Sequence, residues 1–437
     1  MTSSATPPLT PDPPSPAAPR TAGVSRRRFF QGAAGGAAVG ALGVGGTWAA
    51  SASTAADGAP SAPSEVDVVD LTTRVPFYDT VHPAGVQTRP QRYAVYMTFD
   101  LVAGTTSRDL QTLLARWSAA IARLMAGQAI GTVEPARVDA VAQDTGEAAG
   151  LEAASLTVTV GLGPGLFDDR FGLAARRPRH LANLPTLPSD RLDAATTGGD
   201  LSLQACADDP QVAYHAIRNL ARMVRGTADT RWTVLGFGRA SAGRGQQTPR
   251  NLMGFKDGTR NVSTDAEHDS YVWVTDDGWM TGGTYQVARK ISMNIESWDA
   301  DPVSDQQAVF GRTKAEGAPL SGARELDTPD FAAASAAGGT KIGPTSHIAL
   351  AAHENNDGIK ILRRGYNYTD GINAVGQLDA GLLFLAYMND PGHFVTLQRR
   401  LGAADRLNEY IAHVGSAVFA VPPAPVTGHH VGQSLFD

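Results

Sequence analysis

The chain has 437 residues, of which 42% are hydrophobic and 18% are charged, and its formal net charge is −6. This length is sufficient for about two or three domains with full cores, and the composition is that of a globular protein in water. The negative charge does not indicate a broad basic surface for nucleic acid. The single cysteine, Cys206, excludes an internal disulfide framework, a metal cage built from cysteines and a C-x-x-C-H attachment motif.

The first 52 residues are typical of an export signal. Residues 1–20 are rich in proline, serine and threonine, which predicts disorder, and a basic cluster at 26–28 precedes a glycine/alanine run and small residues around Ala50. The order Ser-Arg-Arg-x-Phe-Phe resembles a twin-arginine signal, and the run is too weakly apolar to favour a membrane anchor. We therefore predict removal of residues 1–52, no stable membrane span afterwards and an extracytoplasmic location, whether secreted, periplasmic or bound to the cell wall.

After a linker at residues 53–64, hydrophobic periodicity predicts a first structural half at 65–245. Its elements are, in order, a strand at 92–101, a helix that begins at Thr106, strands at 156–162 and 200–207, a helix that begins at Asp209-Pro210, and a strand at 231–238. The order β-α-β-β-α-β is the ferredoxin-like arrangement.

The second half, residues 246–437, repeats this order. Its elements are a strand at 284–295, a helix at 303–312, strands at 360–368 and 381–387, a helix that begins at Asp390-Pro391, and a strand at 416–421. The stretch DLSLQACADDP aligns with GLLFLAYMNDP, so that Leu201 corresponds to Leu382 and Asp209 to Asp390. We predict an α+β protein made of two ferredoxin-like halves, with helices on one face of each sheet.

The stretch GFKDGTRN, residues 254–261, places the carboxylate of Asp257 in a turn between two glycines. Three interpretations are open: an ordinary Asx-type turn, a cation site, or an acid/base group held over a cofactor. Motifs of other enzyme classes are missing, since the sequence has no H-E-x-x-H, no G-x-S-x-G and no G-x-x-x-x-G-K-[ST]. A glycosidase needs a second carboxylate, and the sequence indicates no partner for Asp257.

Two further stretches suggest chemistry. His347 lies in an irregular segment, and Arg363 and Arg364 are adjacent on a predicted strand, so that their side chains face opposite sides. A buried guanidinium without an acidic partner is costly unless the site binds an anion or develops negative charge. Haem requires an axial ligand, an apolar slot and donors for its propionates, and peroxide cleavage requires a base and a cation. Asp257 and Arg363 can supply that base and that cation.

From about residue 65 to 437 the chain resembles the dye-decolourising (DyP-type) haem peroxidases of the exported bacterial branch. The resemblance is carried by the G-x-x-D-G motif at 254–258, by TPRNL at 248–252, and by DLSLQACADDPQVAYHAIRNL, ILRRGYNY, GLLFLAY and VGQSLF. It implies a dimeric α+β barrel of two ferredoxin-like halves. It also implies one non-covalent haem b (iron protoporphyrin IX) per chain, held mainly by the second half.

Carried over by position, the resemblance implies that Asp257 is the distal acid/base residue, Arg363 its distal partner and His347 the proximal iron ligand. The other residues implied to contact the cofactor or its ligand are Gly258, Thr259 and Arg260 along the haem, Leu382 and Phe384 in the distal pocket, and Asp379 as the hydrogen-bond partner of the proximal imidazole. The chain departs from many relatives at Ala349, where they have arginine. It also has His353 nearby, which is a rival ligand.

The implied partners are hydrogen peroxide and an organic or protein electron donor of a bulky, dye-like kind; an oligomer is possible. The alternative function is a haem-handling deferrochelatase of an iron-uptake system, which would use the same pocket, and a third is a haem-free carboxylate hydrolase. Four aromatic residues either relay electrons or belong to the core, and the core is the favoured interpretation: Tyr366, Tyr368, Tyr387 and Trp279.

Overall fold

The computed structural model describes residues 69–238 and 248–437, so the predicted signal (1–52) and linker (53–64) lie outside the described residues. The strands are β1 (Tyr93–Leu101), β2 (Thr157–Leu162), β3 (Leu201–Ala207), β4 (Ala228–Phe237), β5 (Thr284–Met293), β6 (Leu362–Arg363), β7 (Tyr366–Ile372), β8 (Leu378–Met388) and β9 (Ile411–Val421). The α-helices are α1 (Ser107–Met125), α2 (Pro210–Met223), α3 (Asp265–Tyr271), α4 (Ile295–Ala300), α5 (Val303–Phe310), α6 (His347–Ala351) and α7 (Pro391–Ala404).

The strands of each half are antiparallel and follow the same spatial order. In the first half the order is β4-β1-β3-β2, and in the second it is β9-β5-β8-β7, with β6 continuing the line of β7 along β8. Both orders place the fourth strand beside the first and the third beside the second, as in a ferredoxin-like unit. The predicted fold class is therefore confirmed.

The two sheets join at both edges and close into a barrel. On one side β4 pairs with β7, with Gly236 opposite Tyr368, and on the other β2 pairs with β9, with Leu162 opposite Ala420. Closure leaves no free sheet edge between the halves. The barrel interior is a cluster of alternate strand residues from both halves that includes Tyr96.

Helices α1 and α2 pack against the outer face of the first sheet. The outer face of the second sheet forms one wall of the pocket described below. On β8, Leu383 faces the barrel interior, whereas Leu382 faces outwards and packs with Phe255 and Phe310. This alternation follows from the period of two along a strand. No helix of the described residues is long and apolar enough to cross a membrane.

Some predicted boundaries differ from the structure. The strand predicted at 360–368 is split into β6 and β7, because Arg364 and Gly365 interrupt the ladder. The last strand begins at Ile411 rather than at 416, since its first residues pair with β5 beyond a register shift at Lys290/Ile291. The sequence patterns also missed the short helices α3, α4 and α6.

Replacement of the helix cap Asp209 is expected to reduce stability. Its side chain accepts hydrogen bonds from the backbone amides of Gln211 (2.8 Å) and Val212 (3.1 Å), ahead of a proline at the first helical position. We expect Asp209→Ala to lower the free energy of unfolding in urea by about 1 kcal/mol, whereas Asp209→Asn, which can still cap, retains most of it. Equal losses in both variants would contradict the capping explanation.

Candidate active site

A pocket lies between the outer face of the second sheet and helices α6 and α7. All of its lining residues fall between positions 251 and 413, so the first half contributes none of those described. Every residue predicted for the site lines this pocket except Asp379. The structure therefore brings together side chains from the GFKDGTRN turn, from α6, from β6 and from β8.

The turn that carries Asp257 has an unusual backbone. Gly254, Gly258 and Arg260 have positive φ angles of 84°, 130° and 58°, a region that favours glycine and that other residues adopt at a cost. The amide of Asp257 donates to the carbonyl of Pro249 at 2.8 Å. This geometry projects the Asp257 carboxylate to 3.3 Å from the Nη1 atom of Arg363.

Arg363 is held by its backbone as well as by its side chain. The side-chain amide of Asn261 accepts from the Arg363 backbone N–H at 2.9 Å and donates to its carbonyl at 2.7 Å. The guanidinium also donates to the carbonyl of Thr259 at 3.0 Å. Hydrogen bonds to both the backbone and the side chain of Arg363 therefore connect the turn to the short strand β6.

The neighbouring Arg364 faces the other way, as predicted for adjacent strand residues. It is 3% exposed in the barrel interior, where it donates to the Thr88 carbonyl and to Oε1 of Gln91. The two terminal nitrogens of this buried guanidinium therefore donate to neutral acceptors. The expectation that a buried arginine marks an anion site does not apply to Arg364, because carbonyl oxygens accept its hydrogen bonds.

His347 begins α6, and its Nδ1 atom lies 2.7 Å from Oδ2 of Asp405. The Asp405 side chain is buried and also accepts from the Leu407 amide at 2.9 Å. Burial disfavours the imidazolium, but the charge and hydrogen bond of Asp405 outweigh it and raise the pKa of His347. A carboxylate that accepts the hydrogen bond of Nδ1–H keeps the proton on that nitrogen and leaves the Nε2 lone pair free.

The prediction that Asp379 bonds the imidazole of His347 is therefore wrong. Asp379 lies on β8 opposite Gly371, away from the pocket, and Asp405 makes the contact instead. Asp405 follows α7 and is 58 positions from His347, so no spacing in the sequence indicated it.

The rival residue, His353, also lines the pocket but has a different partner. Its Nδ1 atom lies 3.2 Å from Oε2 of Glu354, a half-buried carboxylate that also pairs with Arg260 at 2.5 Å. Burial lowers the pKa of His353. Ala349, where many relatives have arginine, is buried and is not among the lining residues.

The rest of the pocket combines an apolar wall with several cations. The apolar residues include Ile291, Met293, Phe310, Leu382, Phe384, Phe394 and Leu397. Arg312, which sequence reasoning missed, is 7% exposed and donates to the carbonyls of Gly317 (2.7 Å) and Glu325 (3.1 Å). Burial, together with the charges of Arg260 and Arg363, lowers its pKa to about 10. Within the described ranges no ion pair joins Arg312 to a carboxylate, and no group of three or more histidine, cysteine or acidic residues could hold a metal ion.

The pocket combines a carboxylate and a guanidinium in contact, an apolar wall and the imidazole of His347 held by a buried carboxylate, and these are groups that peroxide chemistry requires. With the closed barrel of two ferredoxin-like halves, they define a peroxidase-type oxidoreductase. Comparison with family models identifies the family within this class of enzyme. The model described as Dyp-type peroxidase, N-terminal matches residues 83–238, and the C-terminal one matches 248–426. The chain belongs to the Dyp-type peroxidase family, which confirms the resemblance at the level of the family.

Relatives with similar sequences support the same assignment. A deferrochelatase of Escherichia coli K12 is 38% identical over 375 residues, which cover 82% of this chain and 86% of that protein. A DyP-type peroxidase from Streptomyces coelicolor is 38% identical with a TM-score of 0.78 and covers 84% of this chain and 98% of its own. Ferric DtpA from Streptomyces lividans is 37% identical, also with a TM-score of 0.78, over 84% of this chain and 97% of its own.

Removal of the Asp405 carboxylate is expected to loosen the His347 imidazole. We predict that Asp405→Ala lowers haem affinity by about 10- to 100-fold, the usual effect of losing the partner of a metal-bound histidine. Haem titration followed at the Soret band measures this, with His353→Ala as the control, which should bind as the wild type does. A loss in His353→Ala and none in Asp405→Ala would identify His353 as the ligand.

Proposed function

We propose that the pocket binds one non-covalent haem b and that the chain reduces hydrogen peroxide while it oxidises bulky aromatic or dye-like donors. The observation that carries this proposal is the 3.3 Å contact between Asp257 and Arg363 in a pocket that also contains His347. Membership of the Dyp-type peroxidase family supports it. DtpA of Streptomyces lividans, which is 37% identical, has ferric and oxyferrous forms and therefore contains iron.

The residues present fit a haem. The Nε2 atom of His347 would be the protein ligand to the iron, since the contact of Nδ1 with Asp405 leaves Nε2 free. The apolar wall suits the porphyrin macrocycle. The pocket is also lined by Gly258, Thr259 and Arg260, which would run along the bound haem. Arg312, which donates to the backbone carbonyls of Gly317 and Glu325, would provide a buried positive charge for a propionate.

Haem supplies the redox chemistry of peroxide reduction when it is bound, and the side chains move the proton. Asp257 accepts the proton of one peroxide oxygen and returns it to the other, so that the O–O bond can break with water as the leaving group, and the donor supplies the electrons of the overall reduction. Its carboxylate is 26% exposed and reaches the pocket from a turn that fixes its direction. A positioned acid/base group of this kind contributes about 10²–10⁴-fold.

Arg363 acts by charge rather than by proton transfer. A guanidinium stays protonated near neutral pH, and its hydrogen bonds stabilise the negative charge that develops on the leaving oxygen. Asn261 and Thr259 hold it beside Asp257 through three hydrogen bonds. An ordered water can carry protons in place of Asp257, but it cannot replace a fixed positive charge.

The electron donor reaches the pocket directly or through aromatic side chains. Tyr366, Tyr368 and Tyr387 are buried, and Trp279 stacks on Phe167 with ring centroids 5.9 Å apart. These aromatic residues pack as core residues do. Their placement therefore favours direct oxidation of donors at the pocket over electron transfer through them. Leu382 and Phe384 line the pocket and would limit the size of the molecules that enter it.

A second candidate function is removal of iron from haem, because curated relatives at 38% identity are named deferrochelatases. Both functions would use the same pocket, so an experiment has to distinguish them by the products that they form. Purified protein incubated with haem and peroxide either oxidises a dye or releases iron-free porphyrin, which is fluorescent. Dye turnover without porphyrin release supports the peroxidase, and the reverse result supports the deferrochelatase.

The relative importance of Asp257 and Arg363 can be measured directly. We expect Arg363→Leu to slow the first spectral change after peroxide mixing by about 10²–10³-fold at every pH, a loss at least equal to that in Asp257→Ala. Asp257→Ala should also change how the rate depends on pH, because the proposed acid/base group is removed. Stopped-flow absorption at matched haem content measures both rates.

A wild-type rate in Arg363→Leu with haem intact would contradict the role given to Arg363. The neighbouring arginine provides a matched control for charge. Arg364 faces the barrel interior, so Arg364→Met is expected to reduce stability while the peroxide rate per haem is retained.

Export by the twin-arginine route is part of this proposal, and the residues concerned lie outside the described ones. The weakly apolar run after Arg26 and Arg27 suits that route better than the ordinary secretory one. We expect Arg26→Lys with Arg27→Lys to abolish extracytoplasmic protein, measured by fractionation, whereas Arg20→Lys has no effect. Undiminished export of the double variant would refute the route.

A further inference from the structure

The carboxylate of Glu325 contacts three side chains of the segment that carries Asp257. Its Oε2 atom accepts from Nζ of Lys256 at 2.6 Å, and Oε1 accepts from the hydroxyl of Thr259 at 2.9 Å and from that of Thr248. Lys256 immediately precedes Asp257, and Thr259 follows it by two positions. The contacts of Glu325 therefore bracket Asp257 on both sides.

These contacts are largely shielded from water. The side chains of Glu325 and Lys256 are 14% and 13% exposed. Burial disfavours the carboxylate, but the hydrogen bonds from Lys256, Thr248 and Thr259 outweigh it and lower the pKa of Glu325. Glu325 is consequently charged at neutral pH, where hydrogen bonds to a carboxylate are stronger than those between neutral groups.

Glu325 itself does not line the pocket, whereas Lys256 and Thr259 do. It belongs to residues 311–346, a long segment that contains none of the helices or strands. Its backbone carbonyl also accepts from the buried Arg312, which fixes the position of Glu325 in that segment. Any effect of Glu325 on the chemistry must therefore pass through other residues.

The Asp257 turn has little regular structure of its own. From residue 248 to α3 the described backbone forms only an isolated bridge between Arg250 and Lys256, and three of its φ angles are positive. A turn of this kind keeps its shape only when neighbouring groups hold it.

We propose that Glu325 is a positioning residue that holds Lys256 and Thr259 so that the Asp257 carboxylate faces Arg363. The proposal rests on the acid/base role given to Asp257 above. Without the Glu325 carboxylate, the ammonium of Lys256 loses its partner beside Asp257. It can then pair with Asp257 and draw that carboxylate away from peroxide.

The test compares Glu325→Gln with Glu316→Gln, an exposed residue of the same segment. At matched haem content, Glu325→Gln is expected to slow the peroxide reaction by about 10- to 100-fold, the effect of a small misplacement of a reacting group. It should also speed amide hydrogen exchange at residues 249–261. Glu316→Gln should change neither quantity.

A double-mutant cycle separates positioning from general damage. In an Asp257→Asn background, Glu325→Gln is expected to cause no further loss of rate, because both changes act through Asp257. Equal losses in both backgrounds, or unchanged rate and exchange in Glu325→Gln alone, would overturn the proposal. If Glu325→Gln does not fold, Glu325→Asp, which keeps the charge on a shorter side chain, takes its place in the same cycle.

Different results would refute the proposed function and the positioning role of Glu325. A wild-type rate in Asp257→Asn would refute the acid/base role of Asp257. Faster exchange at residues 249–261 in Glu325→Gln would in that case still show that Glu325 holds the turn, whereas unchanged exchange would refute both.

Discussion

The contact between the Asp257 carboxylate and the Arg363 guanidinium is the interaction on which the site depends. The two residues are 106 positions apart, and neither is in a long regular element: one lies in a turn and the other in a two-residue strand. Charges interact more strongly in a pocket partly removed from water, so a small displacement changes their interaction considerably. Much of the local structure, including the paired hydrogen bonds of Asn261, serves to hold these two short segments against each other.

The same fold carries a pocket in one half and a filled core in the other. In the first half the nineteen-residue helix α1 places Trp117 and a stripe of leucines against the sheet. In the second half the corresponding connection from β5 to β6 has only the short helices α4, α5 and α6, with residues 311–346 inserted before the last. A short, interrupted helix cannot cover the sheet as α1 does, and the uncovered space is lined by Ile291, Leu382 and Phe384.

Strand alternation keeps two polar environments apart. β6 directs Arg363 to the pocket, and the next residue, Arg364, enters the barrel interior among Gln91, Tyr366 and Tyr387. Both environments contain a guanidinium, but within the described residues Arg363 forms an ion pair, with Asp257, whereas Arg364 forms none. Two adjacent arginines therefore have different surroundings, because successive side chains of a strand point to opposite faces.

The sequence by itself determined the class of fold, since hydrophobic periods and helix caps are local properties, and it singled out Asp257, because two glycines in a short turn signal a special backbone. Its correspondence between the halves was confirmed by the matching strand order. Only the tertiary structure decided that Asp405 rather than Asp379 binds the imidazole and that Arg312 and Glu325 lie at the pocket or behind its wall. These side chains reach the site from segments whose local patterns carry no signal of it, and chain folding alone brings them within hydrogen-bond distance.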